Sequence, residues 1–345
     1  MRPRTLMAGV AAGIVVASLF SAPAANAAAN SIVTLPISFH VQNTNKTDVH
    51  CQSDGKDYTA RGIVVGPKSA IQSGDAATLY LHAVTWNANY FNLNIPGHNF
   101  AQEMAKKGHV SIAVDRLGYG SSDKPDGEGT CFGSAADVAH QMVDALKSGD
   151  YAITGAKKAA YKKVFLSGSS VGGMIANTVA YTFHNVDGVY NQSFGDFSAG
   201  PFAGYEAVDV NERCYKGGDP NGRPHYATFA GDARDMFWFG DAPQNVRDSV
   251  PPMQQDPCGE MKSLPFAIGA DMQHLGEINV PVLLTFGDAD PVFPMGSAEQ
   301  MQFRYSGSPA VTNVSLAGAA HYPILDTAFP QMVDAVDAWL SKLGG

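Results

Sequence analysis

The stretch "KKVFLSGSSVGGMIANTVAYTFH" (residues 162–184) constrains the fold more than any other part of the chain. A short apolar run ends in a cluster of serines and glycines and passes at once into a longer apolar segment. The first part has the length and β-branched content of a buried strand, and the second that of a helix. The same alternation recurs on both sides. "ATLYLHA" (77–83) reads as a strand, "HNFAQEMAKKG" (98–108) as a helix and "HVSIAVDR" (109–116) as a strand. A helix follows over 135–149, where Val138, Met142, Ala145 and Leu146 recur at helical spacing and Ser134 stands ready to cap it. "VDGVYNQSF" (186–194) reads as the next strand. Strands that alternate with helices through short connections imply an α/β class, with a mostly parallel central sheet covered by helices on both faces.

The pattern resumes near the C-terminus with strands at 280–287 and 311–318, a helix near 297–307, and a final helix with Met332, Val336, Trp339 and Leu343 on one stripe. Residues 31–42 and 59–67 alternate like half-buried strands. Between the regular halves, 195–278 is rich in Gly, Pro and Asp and, with Phe194 just before it, carries the aromatics Phe197, Phe202, Tyr205, Phe237, Trp238 and Phe239. A structureless loop of that length is foreign to a compact domain. We therefore expect a core of 28–194 and 279–345 with 195–278 inserted as a cap or lid.

Residues 1–27 read as a secretory signal: Arg2 and Arg4, an apolar stretch too short to span a bilayer, then Ala25-Asn26-Ala27 as a cleavage site. Cleavage near Ala27 gives a secreted protein with no membrane span. It takes two arginines and no acid, so the formal charge moves from −9 to −11. With no basic block, a nucleic-acid partner is not expected. Cys51, Cys131, Cys214 and Cys258 lack C-x-x-C spacing, which argues against zinc and thioredoxin-type chemistry. In an exported chain they read as two disulfides with three possible connectivities, of which we expect Cys214–Cys258 and Cys51–Cys131.

A nucleophile on a sharp strand-to-helix turn needs small residues two before and two after it. Ser170 has Gly168 and Gly172; Ser167 and Ser169 have bulkier neighbours. Through Gly168-Ser169-Ser170-Val171-Gly172, placed between an expected strand and an expected helix, the chain resembles the α/β-hydrolase superfamily. That family orders nucleophile, acid and histidine along the chain, each after a strand. Here "PVLLTF" leads to Asp290, with Asp288 as a competitor, and "VTNVSLAGAA" leads to His321. "DRLGYGSSDKP" (115–125) resembles a loop-shaping segment of the family, and His82-Ala83 stands where many members have His-Gly before an oxyanion loop. We expect a structural role for His82.

The resemblance implies catalytic residues Ser170, Asp290 and His321, an oxyanion hole from the backbone N–H groups of Val171 and Val84, and no metal or organic cofactor. It implies a serine hydrolase, of esterase or lipase type, acting on a small-molecule ester, lactone or lipid-like substrate. A serine nucleophile disfavours epoxide hydrolases and haloalkane dehalogenases, which use an aspartate there. Peptidase, cofactor-free haloperoxidase and carbon–carbon bond hydrolase activities share the triad and stay open, as does a non-catalytic ligand-binding homologue. The aromatics of 195–278 either roof an apolar pocket or form the insert's own core. Oligomeric state is not legible.

Overall fold

The computed structural model of the chain describes residues 31–196, 199–294 and 296–345; the expected signal at 1–27 and the aromatic Phe197 lie outside the described residues. The elements run β1 (Ile32–Gln42), β2 (Asp57–Pro67), α1 (Lys68–Ser73), β3 (Ala76–Leu81), α2 (Phe100–Lys106), β4 (Ser111–Asp115), α3 (Phe132–Ser148), β5 (Ala152–Ile153), β6 (Lys163–Ser169), α4 (Val171–Phe183) and β7 (Val189–Gln192). After the 195–278 segment, β10 (Val282–Gly287), α9 (Ser297–Gln302), β11 (Val311–Leu316) and α10 (Phe329–Leu343) complete the regular part. That segment itself holds α5 (Pro201–Tyr215), β8 (Tyr226–Ala227), α6 (Gly231–Trp238), α7 (Gln244–Ser249), β9 (Asp256–Pro257) and α8 (Cys258–His274).

Among the described residues nine strands form one sheet in the order β11-β10-β7-β6-β3-β4-β2-β1-β5. From β11 to β4 every neighbour is parallel, and β2, β1 and β5 join antiparallel. The strands read as continuous apolar runs because both faces are covered. Leu79 and Leu81 of β3, Val164 and Leu166 of β6, and Val282 and Leu284 of β10 pack with Met142, Leu146, Met174 and Ile175 of α3 and α4. Their alternating neighbours Tyr80, Phe165 and Leu283 pack on the other face with Phe100 and Met104 of α2 and Met332, Val336 and Trp339 of α10. The α10 stripe is thus core, as its spacing predicts.

The chain leaves β3 towards β4 on one side and β6 towards β7 on the other. The carboxyl ends of β3 and β6 therefore open a crevice at a topological switch point, where ligands bind in open α/β sheets.

One boundary differs from expectation. Helix α3 begins at Phe132, with Cys131 at its N-cap, and Ser134 sits one turn inside, its Oγ accepting from the Cys131 amide at 3.0 Å. The Cys51–Cys131 disulfide fixes the chain just ahead of the helix, and the second disulfide joins Cys214 to Cys258. These pairs are the expected ones, and two disulfides fit an oxidising compartment. Among the described residues no helix is long and apolar enough to cross a membrane.

Candidate active site

Ser170 stands between β6 and α4 with φ 53° and ψ −126°, a conformation that non-glycine residues avoid. Such strain persists only where surroundings over-determine it, and here the reason is close packing. A Cβ on Gly168 would lie 2.1 Å from the Gly172 carbonyl, and one on Gly172 would lie 2.2 Å from the Leu81 carbonyl oxygen. Only glycine lets helix, turn and neighbouring strand approach this closely. The Ser170 amide donates to the Gln192 carbonyl of β7 at 2.7 Å, so the adjacent strand also holds the turn.

The structure brings Ser170, His321 and Asp290 together. His321 Nε2 lies 2.8 Å from Ser170 Oγ, and His321 Nδ1 lies 2.9 Å from Asp290 Oδ2. A carboxylate only accepts, so Nδ1 carries the ring's hydrogen and Nε2 is free to accept from the hydroxyl. Asp290 Oδ1 accepts from the amides of Val292 (2.7 Å) and Phe293 (3.2 Å), which fix the carboxylate's rotamer. The competitor Asp288 is exposed and accepts from the Gly318 amide instead.

Ser170, Val171, Val84 and His321 line one cavity of about 190 Å³. Much of its remaining wall comes from the 195–278 segment, including Ala203, Gly204, Ala207, Leu264 and Ile268. The aromatics divide in a way neither expectation covers. Phe237 and Trp238 line the cavity, yet Trp238 also stacks on Trp86 at 4.1 Å and meets Tyr322 edge-on at 6.0 Å, joining α6 to the residues that follow β3 and β11. Tyr205 is exposed, and Phe239 is buried away from the cavity against Arg247. The 195–278 segment also clamps the histidine loop. The His321 amide donates to the Phe237 carbonyl at 3.2 Å, and Asp326 takes the amides of Gly240 and Ala320 at 2.9 and 2.8 Å.

His82 does not reach Ser170's partners. It is fully buried, its Nε2 accepts from the Arg116 amide at 3.0 Å, and its Nδ1–H donates to the Ala83 carbonyl at 2.7 Å. Burial, then the neighbouring Arg116 charge, pushes its pKa well below the usual histidine value, so the ring is neutral. The next residues include Thr85 with φ 64°, a β-branched side chain in the left-handed region, a cost of about 1–3 kcal/mol. Its amide donates to Asp256 Oδ1 at 2.8 Å and its carbonyl accepts from the Gln254 amide at 2.7 Å. The Tyr119 hydroxyl lies 2.9 Å from both Asp256 and Glu260, and Glu260 pairs with Arg116. Burial pushes the Asp256 carboxyl up to about 7.

A second carboxyl pair, the half-buried Asp196 and the buried Asp271, lies beside the cavity; Asn177 donates to Asp271 at 2.9 Å and is itself bonded by Tyr305 at 3.0 Å. Burial raises the pKa of both, and their mutual repulsion raises Asp271 further. Sequence reasoning missed Asp196, Gln254, Asp256 and Asp271, for no local motif marks them.

Comparison with known proteins places this geometry in context. A family model described as the alpha/beta hydrolase family matches residues 79–335. A search of curated proteins by sequence finds no match. Among solved structures, a thermophilic esterase from Thermogutta terrifontis is 17% identical, with a TM-score of 0.60 over 88% of this chain and 99% of that one. A monoacylglycerol lipase from Paleococcus ferrophilus is 16% identical, with a TM-score of 0.57 over 77% and 94% of the two chains. An esterase from Exiguobacterium antarcticum is 18% identical, with a TM-score of 0.55 over 88% and 100%. At these identities the likeness is one of fold. Because the family model spans most of its length, from β3 into α10, the chain belongs to the alpha/beta hydrolase family.

Proposed function

We propose that this protein is a secreted serine hydrolase that cleaves carboxylic esters or lactones through an acyl-enzyme. Ser170 Oγ attacks the carbonyl carbon while His321 Nε2 takes its proton, and Asp290 orients the ring and stabilises its charged form. The N–H groups of Val84 and Val171 receive the oxyanion; Val171 is the first residue of α4, where amides lack an intrahelical acceptor. His321 returns the proton to the leaving alcohol, then activates the water that releases the acid. The single observation carrying this reading is His321 within hydrogen-bond reach of Ser170 on one nitrogen and of Asp290 on the other.

The domain reading carries over: a signal at 1–27, a hydrolase core of 28–194 and 279–345, and 195–278 as a cap that roofs the site. The cavity favours an uncharged substrate, since apart from Ser170, His321 and Thr85 its described lining is apolar or aromatic, with Asp196 the one carboxylate among the described residues. An apolar cavity of about 150 Å³ holds a benzene-sized molecule. The space here therefore suits an acyl or aryl group of about six to eight heavy atoms.

The test is hydrolysis of short-chain aryl esters by the mature protein and its Ser170→Ala variant. The variant should lose about 10⁴-fold or more in kcat, and labelling by a serine-directed phosphonate should vanish with it. Turnover that survives the substitution would overturn the reading, and a peptide panel assayed in parallel separates esterase from peptidase activity.

A further inference from the structure

We propose that Asp256, from the inserted 195–278 segment, is a positioning residue for hydrolysis: its carboxyl holds the backbone on which the Val84 N–H is aimed at the oxyanion. The inference rests on the serine-hydrolase reading above, in which Val84 supplies one of the two donors.

Three successive peptide planes at the end of β3 are each held by a separate bond. The plane between Ala83 and Val84 is held at its carbonyl by His82 Nδ1–H at 2.7 Å. The peptide is trans, so the Val84 N–H on that plane points opposite to the held carbonyl. The plane between Val84 and Thr85 is held at its N–H by Asp256 Oδ1 at 2.8 Å. The plane after Thr85 is held at its carbonyl by the Gln254 amide at 2.7 Å. Thr85 joins the last two planes at φ 64°, where its branched side chain resists the conformation. Without the Asp256 bond, the Gln254 contact on its carbonyl side is all that the backbone retains at Thr85: relaxation to negative φ turns the plane beside Val84 and swings the donor with it.

Asp256 is suited to this work. It is completely buried, its Oδ1 also faces the Tyr119 hydroxyl at 2.9 Å, and Cys258 two residues on is tied to Cys214 by a disulfide. A carbonyl-type oxygen accepts the Thr85 amide whether the acid is charged or neutral, so the role requires an acceptor and no charge.

The experiment measures kcat and KM for a short-chain aryl ester in wild type, Asp256→Ala, Asp256→Asn and the double variant Asp256→Ala/Thr85→Gly. Loss of an oxyanion donor costs about 10²–10³ in kcat. Asp256→Ala should therefore fall by about tenfold to a hundredfold in kcat with KM unchanged. Asp256→Asn, which keeps the acceptor, should stay within about threefold of wild type. Glycine at 85 tolerates positive φ, so the double variant should recover part of the loss. Asp256→Ala within about threefold of wild type would overturn the proposal, as would equal loss in Asp256→Asn or a loss that falls on KM. If Asp256→Ala does not fold, Asp256→Ser, too short to reach the amide, takes its place with the same criteria. Failure of the underlying reading looks different: Ser170→Ala would then match wild type in the same assay, and the positioning role falls with it.

Discussion

The turn carrying Ser170 is shaped by its neighbours in sequence: Gly168 and Gly172 let β6, α4 and β3 close on one another, and the Ser170 amide then donates to the Gln192 carbonyl of the adjacent strand. The turn carrying Val84 ends the next strand over, faces the same cavity, and is held by Gln254 and Asp256, some 170 residues away. One wall of the site is made by steric exclusion within a local motif. The other is made by hydrogen bonds from a buried polar cluster in the 195–278 segment. Local packing can be written into a short sequence pattern, whereas a long-range clamp can be lost or loosened without touching the sheet.

The largest effect that would test this contrast is removal of the Cys214–Cys258 disulfide. Closing a loop with a separation of 44 residues is worth about 4 kcal/mol in the chain-entropy model. With both cysteines replaced by serine, limited proteolysis should cut within 215–257 while the sheet survives as a protected fragment. Protection unchanged across the segment would show that the clamp does not depend on the bond.

Gly172→Ala attacks the other wall. The added methyl meets the Leu81 carbonyl oxygen at 2.2 Å, and overpacking of this kind costs about 1–3 kcal/mol or more. The urea midpoint of the whole protein should drop with little change in slope; an unaltered midpoint would mean that the turn has slack that its geometry denies.

A smaller effect separates the walls by pH, since glycines do not titrate and the clamp carboxyls do. Burial raises Asp256 to about 7 and Asp326 to about 6, above the unfolded value near 4. The folded chain then holds protons that the unfolded chain releases. This contribution to stability is present below about pH 4 and is lost as pH rises to about 7. His82, whose pKa is pushed down, opposes it below about 6.5. The melting midpoint should be a few degrees lower at pH 8 than at pH 5.5, with a shallower slope in Asp326→Asn; a midpoint that rises over this range would contradict the assignment.

The sequence carried the local half of the site. Ser170 stands out from Ser167 and Ser169 because the small flanking residues are a steric requirement, and His321 and Asp290 follow strands in a fixed order. Both Asp288 and Asp290 follow the strand; the family's G-x-x-D position singles out Asp290, and it is Asp290 that lies 2.9 Å from His321 Nδ1. Ser134 was misplaced by a turn because a cysteine held in a disulfide can occupy the N-cap. The aromatics near 237–239 could not be assigned, since Phe237 lines the cavity, Trp238 both lines it and stacks on Trp86, and Phe239 packs on Arg247 away from it. Asp256 and Gln254 left no trace because their partner is set by tertiary contact alone, and nothing in "MQQDPCGE" distinguishes an anchoring acid from a loop acid.

Of the three tryptophans, Trp86 and Trp238 stack across the junction between the 195–278 segment and the residues that follow β3, and Trp339 of α10 packs on Phe165 of β6. That junction therefore carries its own optical label. Exciton coupling of the stacked indoles in circular dichroism reports whether α6 is seated against Trp86, with no dye attached. The far-ultraviolet signal of the sheet is read in the same instrument, so loss of the stacked pair and melting of the sheet can be followed in one sample.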